Sequence, residues 1–518
     1  MTARIKKPAS SLLYSGVEWD FGTIDRIYEA VRAIGEGELG LDTYPNQIEV
    51  ITSEQMLDAY SSVGMPLFYK HWSFGKQFAA NEAMYRKGYQ GLAYEIVINS
   101  NPCIVYIMEE NSATMQTLVL AHAAFGHNHF FKNNYVFRQW TDADGILDYL
   151  DFAKGFIAKC EERYGEAQVE RLLDAAHALQ SHGVHRFPRK RMPDLRSEER
   201  RERERREHGE ALFNDLWRTV PQKRRRTSKD KDLEERRRAL LGLPEENILY
   251  FLEKTSPRLQ GWQREVLRIV RLIAQYFYPQ RQTKMMNEGC ATYTHHRIMQ
   301  RLYERGQIDD GAFLEFLHSH TNVVMQPAFN DRRYSGINPY ALGFAMMQDI
   351  ERICLEPTDE DKLWLPDIAG SRDPYQVLKD VWANYRDESF VSQFLSPHLM
   401  RKMGFFQVVD DEDEDEMRVA AIHDERGYRN LRRALSRHYD ITRREPDIQI
   451  VDVDLAGDRR LILHHRVIDG VTLESEDADK VLQHLADLWG YDVVLHEVDA
   501  NDDEVIDEHH KSPAASFG

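Results

Sequence analysis

Three histidines fall within eight residues, His122, His127 and His129, in the run Leu120-Ala121-His122-Ala123-Ala124-Phe125-Gly126-His127-Asn128-His129. Imidazole is costly to bury without a partner, so three beside an apolar stretch call for one. A second run, Asn287-Glu288-Gly289-Cys290-Ala291-Thr292-Tyr293-Thr294-His295-His296, offers a carboxylate and two more imidazoles. On a helix Glu288 and His295 share a face with Ala291, Ile298 and Leu302, and that face points inward. A metal ion would satisfy the buried carboxylate and imidazoles together. The predicted ligands are His122, His127, Glu288 and His295, with His129, His296, His318 and His320 as second choices. The expected cofactor is one divalent transition metal, zinc first. The competing expectation is a hydrogen-bonded structural network that holds no metal.

Helical geometry limits this proposal. On an ideal α-helix His122 and His127 stand about 140° apart, so they converge only if the helix ends or bulges near Gly126. His122 and His129 share a face but lie roughly 10 Å apart along it. For a lone histidine such as His185, His318 or His320, a structural role is the stronger expectation.

The surrounding elements must bring these runs together. Ile24, Ile27, Tyr28 and Val31 have helical spacing after Thr23, a candidate N-cap. Tyr94 to Ile98 and Cys103 to Ile107 are predicted strands around the turn formers Asn99 to Pro102. A helix is expected from about Ser112 to Phe125, and another with Trp262, Val266, Ile269, Val270, Ile273 and Phe277 on its apolar face. Asn338 and Pro339 suit the start of a further helix, in which Gly343 and Ala345 allow close approach. Residues 189–238 carry 19 Lys or Arg against 12 Asp or Glu, and little that is apolar, so 189–240 is expected as a solvated connector.

The last hundred residues change character. Strands are predicted at Phe405 to Val409 and Arg418 to Ile422, with seven acids, Asp410 to Glu416, in the loop between them. A helix follows at Tyr428 to His438, then strands at Ile448 to Val453 and Arg460 to His465, a helix near Ala478 to Leu488 and a strand at Asp492 to His496. The predicted class is α+β: a large, mainly helical body over 1–400, a small ββαββαβ domain over 404–498, and an acidic flexible tail over 499–518.

Composition narrows the function. A net charge of -18 argues against a general nucleic-acid surface. No apolar run suits a secretory signal or a membrane-spanning helix. Cys103, Cys160, Cys290 and Cys354 are widely spaced, which fits reduced thiols in the cytoplasm. No phosphate-binding loop, dinucleotide fingerprint or nucleophile elbow is present. Asn-Glu-Gly-x-Ala resembles the helix that bears the glutamate ligand in gluzincin metallopeptidases. Those enzymes also use HExxH, whose glutamate activates water. Here Ala123 follows His122, so that base is missing; Glu95, Glu109 and Glu110 are upstream carboxylates that could replace it.

Longer motifs resemble the stage V sporulation protein R family, SpoVR. They are HAAFGHNHFFKNN from His122, NEGCATYTHH from Asn287, and FLHSHTNVVMQPAFNDRRYSGINPYALGFAMMQDIERI from Phe316. LWLPDIAGSRD from Leu363, DESFVSQFLSPHLMRKMGFF from Asp387 and IQIVDVDLAGDRRL from Ile448 extend the likeness over nearly the whole chain. The resemblance implies a cytoplasmic bacterial protein. Its implied role is sporulation and spore cortex formation or, in bacteria that do not sporulate, stress or stationary-phase physiology. It also implies a PrkA-type serine kinase and a von Willebrand-like protein as partners. No reaction comes with it. Two functions therefore stay open: a regulator or scaffold around a buried His/Glu site, and a metal-dependent hydrolase of a peptide, amide or cell-wall-related substrate. Oligomeric state is not legible.

Overall fold

The computed structural model describes residues 12–62, 65, 67–86, 94–186, 200, 203, 241–328, 330–405, 407–409, 418–420, 424–454, 457–501 and 503–514. The charged connector, apart from residues 200 and 203, and the acidic run 410–416 lie outside these residues. The chain forms two compact units, 1–155 with 278–441 and 156–277 with 442–518. Contacts thus divide the chain at 441/442 rather than at the expected 404, and join an internal segment to the C-terminal end. The α+β class holds, with helices dominating and small sheets beside them.

In the first unit, β1 (Asn46–Ile51), β2 (Glu95–Ile98) and β3 (Cys103–Met108) form a sheet ordered β1-β3-β2. β2 and β3 are the expected hairpin; β1 lies parallel to β3. The helix Phe21–Gly35 is capped by Asp20, whose side chain accepts from the Thr23 N–H at 2.6 Å, so the cap is not Thr23 itself. The Ser112 hydroxyl caps a helical run that changes type twice: α over Ala113–Val119, π over Leu120–His127, and α again over Asn128–Asn133.

The helix Lys284–Glu304 is the central support, with buried residues on every face. Small residues let its neighbours approach. A Cβ on Gly126 would meet the Ala291 Cα at 2.5 Å, and one on Gly289 would meet the backbone of Gly343 at 2.7 Å. Gly343 belongs to the helix Pro339–Leu355, which begins with the expected Asn338 cap and Pro339. Asp387 holds the start of the central helix: its two carboxyl oxygens accept from the N–H groups of Met285 and Met286. The unit also contains β4 (Gln407–Val409) and β5 (Arg418–Ala420), which pair antiparallel.

The second unit contains the helix Gly261–Phe277 portion of Gly261–Gln282 and a four-stranded sheet. The sheet orders β6 (Ile448–Val453), β7 (Leu461–Val467), β8 (Val493–Asp499) and β9 (Val505–Lys511) consecutively, with β7 and β8 parallel. The helix Ser475–Trp489 makes the crossover that a parallel pair needs. β9 corrects the expectation of a flexible tail after 499. It pairs with β8 along its length, because backbone hydrogen bonding to a sheet edge does not require an apolar sequence. Among the described residues, no helix is long and apolar enough to cross a membrane.

Candidate functional site

His122 and His127 converge because the segment that carries them is π-helical. The Asn128 N–H reaches back five residues to the Ala123 carbonyl. This i→i+5 spacing brings residues five apart onto one side, as an α-helix does not. The rings stand edge to face with centroids 4.6 Å apart. The central helix faces them across the Gly126–Ala291 contact and supplies Asn287, Glu288 and His295.

Each imidazole uses its two nitrogens differently. His122 Nδ1 lies 2.9 Å from His295 Nδ1, and His127 Nδ1 lies 2.9 Å from Asn287 Oδ1. Both Nε2 atoms are left to face carboxylates. Glu288 Oε2 is 3.8 Å from His122 Nε2 and 3.6 Å from His127 Nε2. Glu95, at the head of β2, brings Oε1 to 3.6 Å from His122 Nε2. Ligand atoms from Glu95, His122 and His127 all lie within 4.8 Å of one another. These separations are too long for hydrogen bonds. Ligand atoms sharing a tetrahedral zinc stand roughly 3.3 Å apart, given bonds of about 2.0–2.1 Å. Glu288 Oε2 is itself shielded from solvent and has no hydrogen-bond partner.

Charge follows from this arrangement. Burial alone would lower the His122 imidazole, but Glu288 and Glu95 outweigh it and raise the pKa above the ordinary value. Burial would raise the Glu288 carboxyl, yet His127, His122 and the Tyr340 hydroxyl hold it below the usual range. Glu95 goes the other way, raised by burial despite His122. Burial also lowers His127 to about 4. The two carboxylates thus favour a positive charge at the cluster.

The residues open onto a cavity of about 620 Å³. Val97, Met115, Leu118 and Phe131 form apolar wall, while Ser319, His320, Asn338 and Tyr340 add polar groups. That volume suits a small molecule or a short peptide stretch.

The structure redistributes the expected ligands. His122, His127 and Glu288 meet. His295 lies one imidazole further out, with Nδ1 on His122 and Nε2 2.9 Å from His320 Nδ1, so both its nitrogens are engaged. Among the second choices, His129 turns away and accepts from the Asp42 N–H at 2.9 Å. His296 packs on Phe344 and His320, and His318 is exposed near Asn322. His320 reaches the cavity wall. Of the upstream acids, Glu95 joins the site while Glu109 and Glu110 are exposed. Tyr340 was not anticipated; only its place beside the Asn338-Pro339 cap marked it. His185 instead meets Glu245 at 2.8 Å in the second unit.

Fold and site together define an α+β protein whose helical unit encloses an imidazole–carboxylate cavity. The chain belongs to the SpoVR-like family. Residues 18–444 match the family described as SpoVR like protein, and residues 446–500 match the SpoVR-like C-terminal domain. A relative from Escherichia coli (strain K12), "Uncharacterized protein YcgB", is 53% identical over 501 residues, covering 97% of this chain and 96% of the relative. No solved structure matches the chain.

Proposed function

We propose that the cavity is a divalent-metal centre with hydrolytic chemistry, in which His122, His127 and Glu288 hold the ion and Glu95 is the general base. The observation that carries this reading is the orphaned Glu288 Oε2, buried without a hydrogen bond 3.6 and 3.8 Å from two imidazole nitrogens. A buried, ionised oxygen without a partner is unfavourable, and a shared cation removes that cost. The donor set of two imidazoles and a carboxylate suits zinc, with iron or manganese as other first-row ions. Such an ion would supply Lewis acidity and lower the pKa of a bound water to about 7.

The chain's own groups do the rest. Asn287 accepts from His127 Nδ1 and so fixes which nitrogen faces the ion. Glu95 comes from a different element and stands 3.6 Å from His122, placed to take the proton of an attacking water. It fills the role left vacant by Ala123. Two carboxylates shifted in opposite directions, Glu288 down and Glu95 up, fit a division into ligand and base. The Tyr340 hydroxyl lines the same cavity and helps to keep Glu288 ionised. A peptide, amide or cell-wall-related bond is the substrate class. The cellular setting we infer is cytoplasmic. The cellular role the family implies is spore cortex formation or stress or stationary-phase physiology. The implied partners are a PrkA-type kinase and a von Willebrand-like protein.

The test is metal analysis of protein purified without a histidine tag and reconstituted with zinc. Wild type should hold about one equivalent, Glu288→Ala less than about a tenth, and Glu95→Gln close to one, while all three remain folded. Wild type without metal would sink the reading. Loss of metal in Glu95→Gln with retention in Glu288→Ala would reverse the two roles and overturn the assignment.

A further inference from the structure

Three imidazoles run in series outward from the proposed centre: His122 Nδ1 to His295 Nδ1 at 2.9 Å, then His295 Nε2 to His320 Nδ1 at 2.9 Å. Each contact has room for one proton. Neutral imidazole has one N–H and one bare nitrogen, so the tautomer of one ring dictates that of the next. The chain can therefore run in only two directions. If it runs inward, a neutral His122 carries its proton on Nε2, aimed at Glu95 and Glu288. If a cation occupies His122 Nε2, the proton must sit on Nδ1 and be donated to His295. His295 then carries its own proton on Nε2 and donates it to His320, whose proton is left on its Nε2.

Packing holds this line in place. His295 is fully enclosed, with Phe316 edge-on at 6.0 Å. His320 sits between Phe344 at 4.8 Å and Phe316 at 5.6 Å. It lines the same cavity as His122, so the chain leaves the centre and returns to the cavity wall. The molecule solves the same orientation problem for His127 with one group, Asn287. Two further histidines in place of a single amide do more than orientation requires.

Resting on the metal reading above, we propose that a cation on His122 Nε2 sets His295 and His320 as Nε2–H tautomers. His320 thereby presents a hydrogen-bond donor to a carbonyl or similar acceptor bound in the cavity. His295 is then a positioning residue and not a metal ligand.

Imidazole nitrogen NMR on the zinc-loaded full chain reads the tautomers directly, with His295→Asn and His320→Asn variants assigning the signals. The expected result is that both rings are neutral with the proton on Nε2. A proton on Nδ1 of either ring, or a doubly protonated ring, overturns the proposal. Zinc competition with a chelator supplies the second readout. His295→Asn keeps an acceptor at the δ position, as Asn287 provides for His127, and should hold zinc within about threefold of wild type. His295→Leu should weaken zinc roughly 10- to 100-fold. Equal loss in both variants would mean that His295 is itself a ligand or only a packing residue, and would overturn its positioning role. If wild type binds no zinc, the metal reading fails. This proposal then falls with it, whereas zinc bound with a proton on Nδ1 of either ring overturns this proposal alone.

Discussion

In the C-terminal sheet the Glu497 carboxylate accepts from His465 Nδ1, His509 Nε2 and the Leu473 N–H, each at 3.0 Å. Around the cavity of the first unit, Glu288 Oε2 faces two imidazoles at 3.6 and 3.8 Å and accepts from neither. Both clusters combine a carboxylate with two imidazoles in a protein interior. The first is complete at hydrogen-bonding distance. The second is held open by its scaffold: the π-helical turn, the Gly126–Ala291 contact and the Nδ1 anchors keep the rings from closing on the carboxylate. Residue types alone do not distinguish a structural network from a metal centre. The two clusters differ instead in contact distance and in whether every polar atom has a partner.

The largest expected effect that sharpens this comparison lies in the complete cluster. Glu497→Ala leaves two buried imidazoles without their acceptor and should cost about 3 kcal/mol in denaturant unfolding of the second unit, with zinc content unchanged. A loss of zinc would break the comparison. In the intact protein burial would raise Glu497, but His509, the Leu473 N–H and His465 hold it below 4.5. Its stabilisation is thus present above pH 4.5 and lost as the pH falls through the lower folded value, and the variant should lack that acid limb. Next is the scaffold of the open cluster. Gly126→Ala puts a methyl group 2.5 Å from the Ala291 Cα and should cost about 2 kcal/mol, weakening zinc as the two helices move apart. An unchanged zinc affinity would show that the spacing of the helices does not set the site.

Much of this arrangement was legible in the sequence. For His122 and His127 to converge, their five-residue spacing required the helix to end or bulge near Gly126, and the π-helix is such a bulge. Glu288, half-buried, and His295, buried, both line the cavity from one helix, as their shared face required. The choice between His295 and Glu95 was not legible. His295 shares a helix face with Glu288, and only the second ring's position shows that it stops one imidazole short. Glu95 stands at the start of a short strand 27 residues before His122, where a charge reads as a sheet edge. Strand pairing is non-local, so neither the meeting of β2 with the π-helical turn nor the parallel β1–β3 pair is encoded in a local pattern. β9 escaped for a related reason. Of Val-Ile-Asp-Glu-His-His-Lys only His509 is buried, which leaves no alternation to mark a strand.

X-ray absorption at the zinc edge of the reconstituted, untagged protein tests the central claim most directly. The account predicts two imidazole nitrogens with the remaining ligands oxygen, all at about 2.0–2.1 Å. Three imidazoles, which would bring His295 into the shell, or a sulfur at about 2.3 Å would contradict it.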